Sequence, residues 1–190
     1  MNKGHLQFLA SPDWARMLEA DLLPWLTEVA DLGDDVLELG PGPGLTTELL
    51  RKRTSKLTAL EADAQLAAAL AARLSDTNVE VIHADGTDSG LASNRFSAVT
   101  CFSMLHHMPS AQIQDRLFAE VYRVLRHGGA FIGTDSIDSK PVRDFHVDDV
   151  FVPVHPDTLG PRLEAVGFGK VRIEVASYEI RFNATKPVRR

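Results

Sequence analysis

Val36-Leu-Glu-Leu-Gly-Pro-Gly-Pro-Gly44 decides the reading of this chain, because a short apolar run ends in three glycines spaced two apart. The pattern predicts a strand followed by a ligand-binding turn. Gly40, Gly42 and Gly44 remove Cβ atoms where the backbone must turn sharply and let a bulky ligand lie against bare main chain. Leu45 to Arg51 has apolar residues at helical spacing, so the turn delivers its ligand to a helix N-terminus. A dinucleotide fingerprint needs a third glycine where Leu45 stands, and a P-loop needs Gly-Lys-Ser/Thr, which is absent. Glu38, two residues before Gly40, suits a ligand bearing an ammonium or sulfonium charge and would repel phosphates.

Two further strand ends carry carboxylates. Lys56 to Glu61 reads as a second strand whose last residue lies 17 positions after Gly44. A carboxylate at that edge of an α/β sheet can accept hydrogen bonds from both hydroxyls of a ribose lying across the first turn. Asp63 better fits the alternative role of capping the following alanine-rich helix. Val79 to Ala84 reads as a third strand ending at Asp85-Gly86, where Asp85 can accept from an adenine amino group or simply form an Asp-Gly turn.

With its E-L-G-P-G-P-G motif, the chain resembles the class I S-adenosylmethionine-dependent methyltransferases from about Asp35 to Arg181. The resemblance implies an α/β, Rossmann-like three-layer sandwich. Its mostly parallel seven-stranded sheet would run in the order 3-2-1-4-5-7-6, with strand 7 antiparallel. Residues 1–190 would form a single domain, 1–34 an N-terminal helical cap and 35–190 the core. It further implies S-adenosylmethionine as cofactor, held by Glu38, Gly40, Pro41, Gly42, Glu61, Ala62, Asp85, Gly86 and Phe102. Ser97 to Met104 matches the fourth strand, Leu105-His-His-Met-Pro109 a segment that often lines the active site, and Arg123 to Gly133 the junction into the fifth strand, turning at Gly128-Gly129.

Composition agrees with this assignment. At 190 residues and 44% apolar, the chain has the material for one full core, and no run of about 18 apolar residues is present to span a bilayer. No basic segment precedes an uninterrupted apolar stretch at the N-terminus, so no secretion signal is expected. Cys101 cannot form an internal disulfide and reads as a buried hydrophobe, which fits a reducing cytoplasm. Twenty basic residues against 26 acidic give a net charge of −6 with no basic stripe, so nucleic acid is not the expected partner. The tail from Lys186 reads as a solvated end. The sequence assigns no oligomeric state.

Trp14, Met17, Leu18 and Leu22 mark an amphipathic helix, with Pro24 opening a second one that closes before Gly33. Trp14 and Trp25 are expected mainly as core. Asp157 to Gly167 predicts a helix whose beginning Gly160-Pro161 resets, followed by two half-exposed strands over residues 170–176 and 178–184.

The expected reaction is in-line methyl transfer to a small, hydrophobic or phenolic acceptor in a cleft bordered by Phe8, Trp14, Phe145 and Phe151. Its competitors are a binding or regulatory module without transfer activity and an NAD-dependent oxidoreductase. Where the nucleophile must lose a proton, His107 is the first catalytic candidate and His146 the second. His106 and His107 are consecutive, so one at most is expected to face substrate. His146, Asp148, Asp149 and His155 match no recognised ligand spacing, and no metal is assigned.

Overall fold

The computed structural model describes residues 2–176 and 178–188. Seven strands, β1 (Asp35–Leu39), β2 (Lys56–Glu61), β3 (Val79–His83), β4 (Phe96–Phe102), β5 (Leu125–Ser136), β6 (Gly169–Val175) and β7 (Glu179–Thr185), form one sheet. Its order is β3-β2-β1-β4-β5-β7-β6, as the resemblance implied. Strand β7 runs antiparallel to β5 and β6, and the other neighbours are parallel. Around it lie α1 (Lys3–Leu9), α2 (Pro12–Met17), α3 (Leu23–Val29), α4 (Leu45–Leu50), α5 (Ala64–Arg73), α6 (Ala111–Val124), α7 (Lys140–Phe145) and α8 (Pro156–Val166).

The central strands β1, β2 and β4 are buried over almost their whole length because both faces are covered. Alternation sorts their side chains: Leu37, Leu39, Val99 and Phe131 pack with Leu117, Phe118 and Val121 of α6 and with Leu159 and Leu163 of α8. Val36, Leu57, Ala98 and Ile132 meet Leu18, Leu22, Trp25 and Leu26 on the other face. Trp25 is thus core, while Trp14 is only partly buried. No helix among the described residues is long and apolar enough to cross a membrane.

Three expectations are corrected. Pro24 stands in the first turn of α3 as expected, but α3 is joined to α2 without a break through a π-helical stretch, Leu18–Leu22, and it ends at Val29 rather than beside Gly33. That widened turn loosens the i→i−4 ladder just where Pro24 lacks a donor. Gly160-Pro161 does not reset α8, which starts at Pro156 and carries Pro161 inside, forgoing one donor to the carbonyl of Asp157. Gly167, at φ 115°, closes it as expected.

The third correction is Lys186, which is buried, not solvated. Its ammonium donates to Asn94 Oδ1 (2.8 Å) and to the carbonyls of Tyr122 (2.7 Å) and Leu125 (2.8 Å), which face it where α6 runs into β5. A cation that satisfies the last carbonyls of a helix is stabilised by them in return. Residues 189 and 190 of the tail lie outside the described residues.

Candidate active site

A cleft of about 970 Å³ opens at the carboxyl edge of the sheet, where the ends of β1, β2, β3 and β4 meet the cap helices. This is the edge at which open α/β sheets bind ligands. The first motif forms its floor. Gly40, Gly42 and Gly44 all adopt left-handed φ angles, 63°, 54° and 82°. The Gly40 N–H still donates to Leu60 O (2.9 Å), so the turn leaves the sheet directly from the ladder. A Cβ on Gly40 would stand 2.5 Å from Met104 Cγ and displace that side chain, in addition to taking a left-handed φ that favours glycine. Arg73 of α5 braces the turn from behind by donating to Pro43 O (2.7 Å).

Glu61 sits at the end of β2 and is nearly buried. One carboxylate oxygen accepts from Gly42 N–H and the other from Asp63 N–H, each at 3.0 Å. The side chain is therefore oriented in advance, yet its oxygens keep further lone pairs for hydroxyl donors. Asp63 lines the cleft too, but one of its oxygens is spent capping α5 through Gln65 and Leu66. Asp85 also lines the cleft, closing an Asx turn onto Thr87. Pro41, Ala62, Gly86 and Phe102 complete the expected set along the wall.

Glu38 differs from this group. It does not line the cleft but lies one layer beneath, 1% exposed, where one oxygen accepts from the Thr46 hydroxyl. The other oxygen has no hydrogen-bond partner among the described residues. Burial pushes its carboxyl up to about 7, and neighbouring Glu61 adds in the same direction, against the Thr46 and Thr47 hydroxyls. Thr46 itself lines the cleft, so the Glu38 charge reaches the surface through that hydroxyl.

The histidines divide as their adjacency implied. His107 lines the cleft, whereas His106 points into the core. The ring of His106 lies 2.7 Å through Nδ1 from Asp135 Oδ1, both side chains fully buried. His146 is buried behind His107 and is not among the residues that line the cleft. Its ring stacks on Phe151, centroids 4.6 Å apart. Burial, with His106 facing it, pushes His107 down to about 4, while Asp149, 3.7 Å from its Nδ1, works the other way. His155 is exposed and caps α8 by accepting from Asp157 N–H (3.3 Å), away from the other rings.

Of the four aromatic residues expected to border the cleft, only Trp14 lines it. Phe8 packs edge-on to Phe145 and lies against Trp14, tying the cap to α7, and Phe151 is taken by His146. Several further residues line the cleft without a signal in the sequence: Leu6, Leu9, Thr46, Ser103, Met104 and Arg116. Ser103 holds a left-handed φ of 51°, fixed by donation from its N–H to Thr134 O (2.8 Å). Asp135 also escapes the sequence reading, although an acidic residue closing the apolar run Phe131-Ile-Gly-Thr is a usable signal.

A family model described as a methyltransferase domain matches residues 37–133. The chain belongs to this family, and its fold and first motif are those of the class I, S-adenosylmethionine-dependent kind. Among curated relatives, it is 36% identical over 72 residues to a probable ribosomal RNA small subunit methyltransferase A of Methanopyrus kandleri, covering 36% of this chain and 26% of that protein. It is 37% identical over 90 residues to a ubiquinone biosynthesis O-methyltransferase of Azotobacter vinelandii, covering 45% and 38%. The chain thus spans about a quarter to two fifths of the length of these relatives. A solved SAM dependent methyltransferase from Aquifex aeolicus superposes with a TM-score of 0.76 at 21% identity, covering 98% of this chain and 99% of that one.

Proposed function

We propose that the chain transfers the methyl group of S-adenosylmethionine to a small hydrophobic or phenolic acceptor and releases S-adenosylhomocysteine. The observation that carries the reading is Glu61, held by Gly42 N–H between the glycine turn and Asp85 on one cleft wall. Gly40, Pro41 and Gly42 suit the methionine end, Glu61 and Ala62 the ribose, and Asp85, Gly86 and Phe102 the adenine. Glu38 acts from below as a negative charge relayed by Thr46. When bound, S-adenosylmethionine supplies a methyl group already activated by its sulfonium charge. The chain's task is then alignment, which in well-oriented systems is worth about 7 to 11 kcal/mol.

The acceptor end is lined by Leu6, Leu9, Trp14, Met104, Met108 and Ile113, an apolar surface for a flat or hydrocarbon molecule. His107 is the polar group placed to meet its nucleophile, and His146 supports that ring from behind. Among the described residues, three carboxylates, Glu61, Asp63 and Asp85, line the cleft against a single guanidinium, Arg116. That balance disfavours a polyphosphate strand and favours the kind of acceptor named for the ubiquinone-pathway relative over that of the ribosomal RNA relative.

Purified chain supplied with methyl-labelled donor is expected to label members of a phenol and quinol panel and to leave small-subunit ribosomal RNA unlabelled. Label in the RNA alone would overturn the acceptor assignment. Glu61→Ala is expected to weaken donor binding by about 1–3 kcal/mol, or roughly 5- to 150-fold by calorimetry, through loss of its hydrogen bonds to the ribose. Equal affinity in a folded variant would remove Glu61 from the site.

A further inference from the structure

Behind the acceptor end of the cleft, three histidines converge from two places in the chain. His106 and His107 stand on the 3-10 turn Leu105–His107 after β4, and His146 on the segment that follows α7. Their ring centroids lie 4.2, 4.8 and 5.3 Å apart, and one nitrogen from each lies within 4.8 Å of the others. We propose that His106, His107 and His146 form a binding site for one late first-row divalent cation of the zinc type, meeting the cleft through His107.

The surrounding hydrogen bonds support the assignment. The His106 Nδ1 lies 2.7 Å from the Asp135 carboxylate, and the His146 Nδ1 lies 2.6 Å from Val142 O. A carbonyl and a carboxylate accept, so in both rings Nδ1 carries the proton and Nε2 the lone pair. This is the arrangement by which metal-binding histidines are oriented, with a carboxylate or backbone carbonyl holding the far nitrogen. Asp149 lies 3.7 Å from His107 Nδ1, close enough for charge attraction but beyond hydrogen-bond distance. The scaffold is also held in place: Val152 N–H donates to His106 O (2.7 Å), and Gln114 Nε2 donates to Leu105 O (3.0 Å) and Val152 O (2.9 Å). The turn that carries two of the rings is thereby tied to the chain just beyond the third.

Three imidazoles select the cation. Oxygen-preferring magnesium and calcium are poorly served by an all-nitrogen set, whereas zinc, cobalt, nickel, copper and ferrous iron accept it. A tetrahedral centre with metal–nitrogen bonds of about 2.1 Å places donor atoms roughly 3.4 Å apart, so the three rings, with nitrogens within 4.8 Å of one another, must draw together by about an ångström on binding. His107 alone of the three lines the cleft, so the cluster meets the cleft through that ring. Three imidazoles among the described residues match the nitrogen-rich ligand sets that zinc takes. Sequence spacing assigns no metal because His146 follows the other two by about 40 residues, and spacing motifs register only local sets.

The test is a titration of the chelator-stripped full chain with Co²⁺, without donor. One equivalent is expected to give a saturable visible absorption that Zn²⁺ abolishes and millimolar Mg²⁺ does not. His146→Ala is expected to weaken Co²⁺ binding at least tenfold and Asp135→Asn about 10- to 100-fold, while His155→Ala leaves it unchanged. Donor calorimetry on each variant reports whether it is folded, and for any variant that is not, zinc-dependent thermal stabilisation of the wild-type chain replaces it as the readout. No saturable band and no thermal shift in the wild type, or equal affinity in folded His146→Ala, would overturn the site. Because donor binding is read separately, that outcome leaves the transferase reading standing, and loss of donor binding leaves this one.

Discussion

Gly133→Ala is expected to destabilise the fold by at least about 3 kcal/mol, near the upper end for overpacking a core. Gly133 lies in β5, opposite Cys101 of β4 and Phe182 of β7. A Cβ there would overlap Cys101 O and Phe182 Cζ and stand 2.7 Å from Phe182 Cε1. Phe182 can be trimmed, but the Cys101 carbonyl belongs to the sheet backbone and has nowhere to retreat. The double variant Gly133→Ala/Phe182→Leu is therefore expected to remain destabilised. Gly42→Ala has open space around its Cβ and faces only the left-handed penalty of about 1–2 kcal/mol. Chemical denaturation of the three variants checks the order. A Gly133→Ala protein within about 1 kcal/mol of wild type would show that β4 and β5 can separate locally, against the close pairing that holds Asp135 under His106.

The contrast between Gly42 and Gly133 also shows what the sequence reveals. Gly42 announces itself because its reason is local: a turn between an apolar strand and a helix. Glu61 and Asp85 are legible for the same reason, one closing β2 and the other two residues beyond β3, both at the edge where the cleft opens. Gly133 looks like any glycine in an apolar run, since its reason is the approach of two other strands. Phe8, Phe145 and Phe151 suggest a cleft wall by their chemistry, but aromatic rings fill core gaps as readily as they line sites, and here they lock cap, α7 and His146 together. The histidine cluster arises only when β4 and the segment after α7 meet. Lys186 misleads in sequence because a charge near a chain end usually meets water, whereas here three oxygens receive its ammonium.

Glu38→Gln is expected to remove most of a pH-dependent loss of stability amounting to about 3 kcal/mol. In the folded chain burial holds the Glu38 carboxyl up at about 7, whereas its ordinary value is 4.5. A group whose acid constant is raised by folding contributes stability that is complete below the unfolded value and lost as pH rises through the folded one. The window therefore runs from about pH 4.5 to 7: the unfolded chain releases this proton early, and the folded chain holds it. At 1.36 kcal/mol per pH unit, the difference of about 2.5 units gives the figure above. Glu61 is the charged neighbour that adds to the effect, and the Thr46 and Thr47 hydroxyls oppose it. The substituted side chain would keep an acceptor for Thr46 but place an amide where Glu38 Oε2 has no partner among the described residues, so the gain at pH 8 is expected to be smaller, about 1–2 kcal/mol. Urea unfolding of wild type and variant from pH 5 to 8 measures this directly, and parallel curves would refute it. On the proposed reading the donor would reverse the balance, because cationic groups held against Thr46 would favour the ionised carboxylate. Its affinity for the wild type is expected to rise with pH through 7, with proton release seen as a buffer-dependent binding enthalpy, and Glu38→Gln is expected to lose that release.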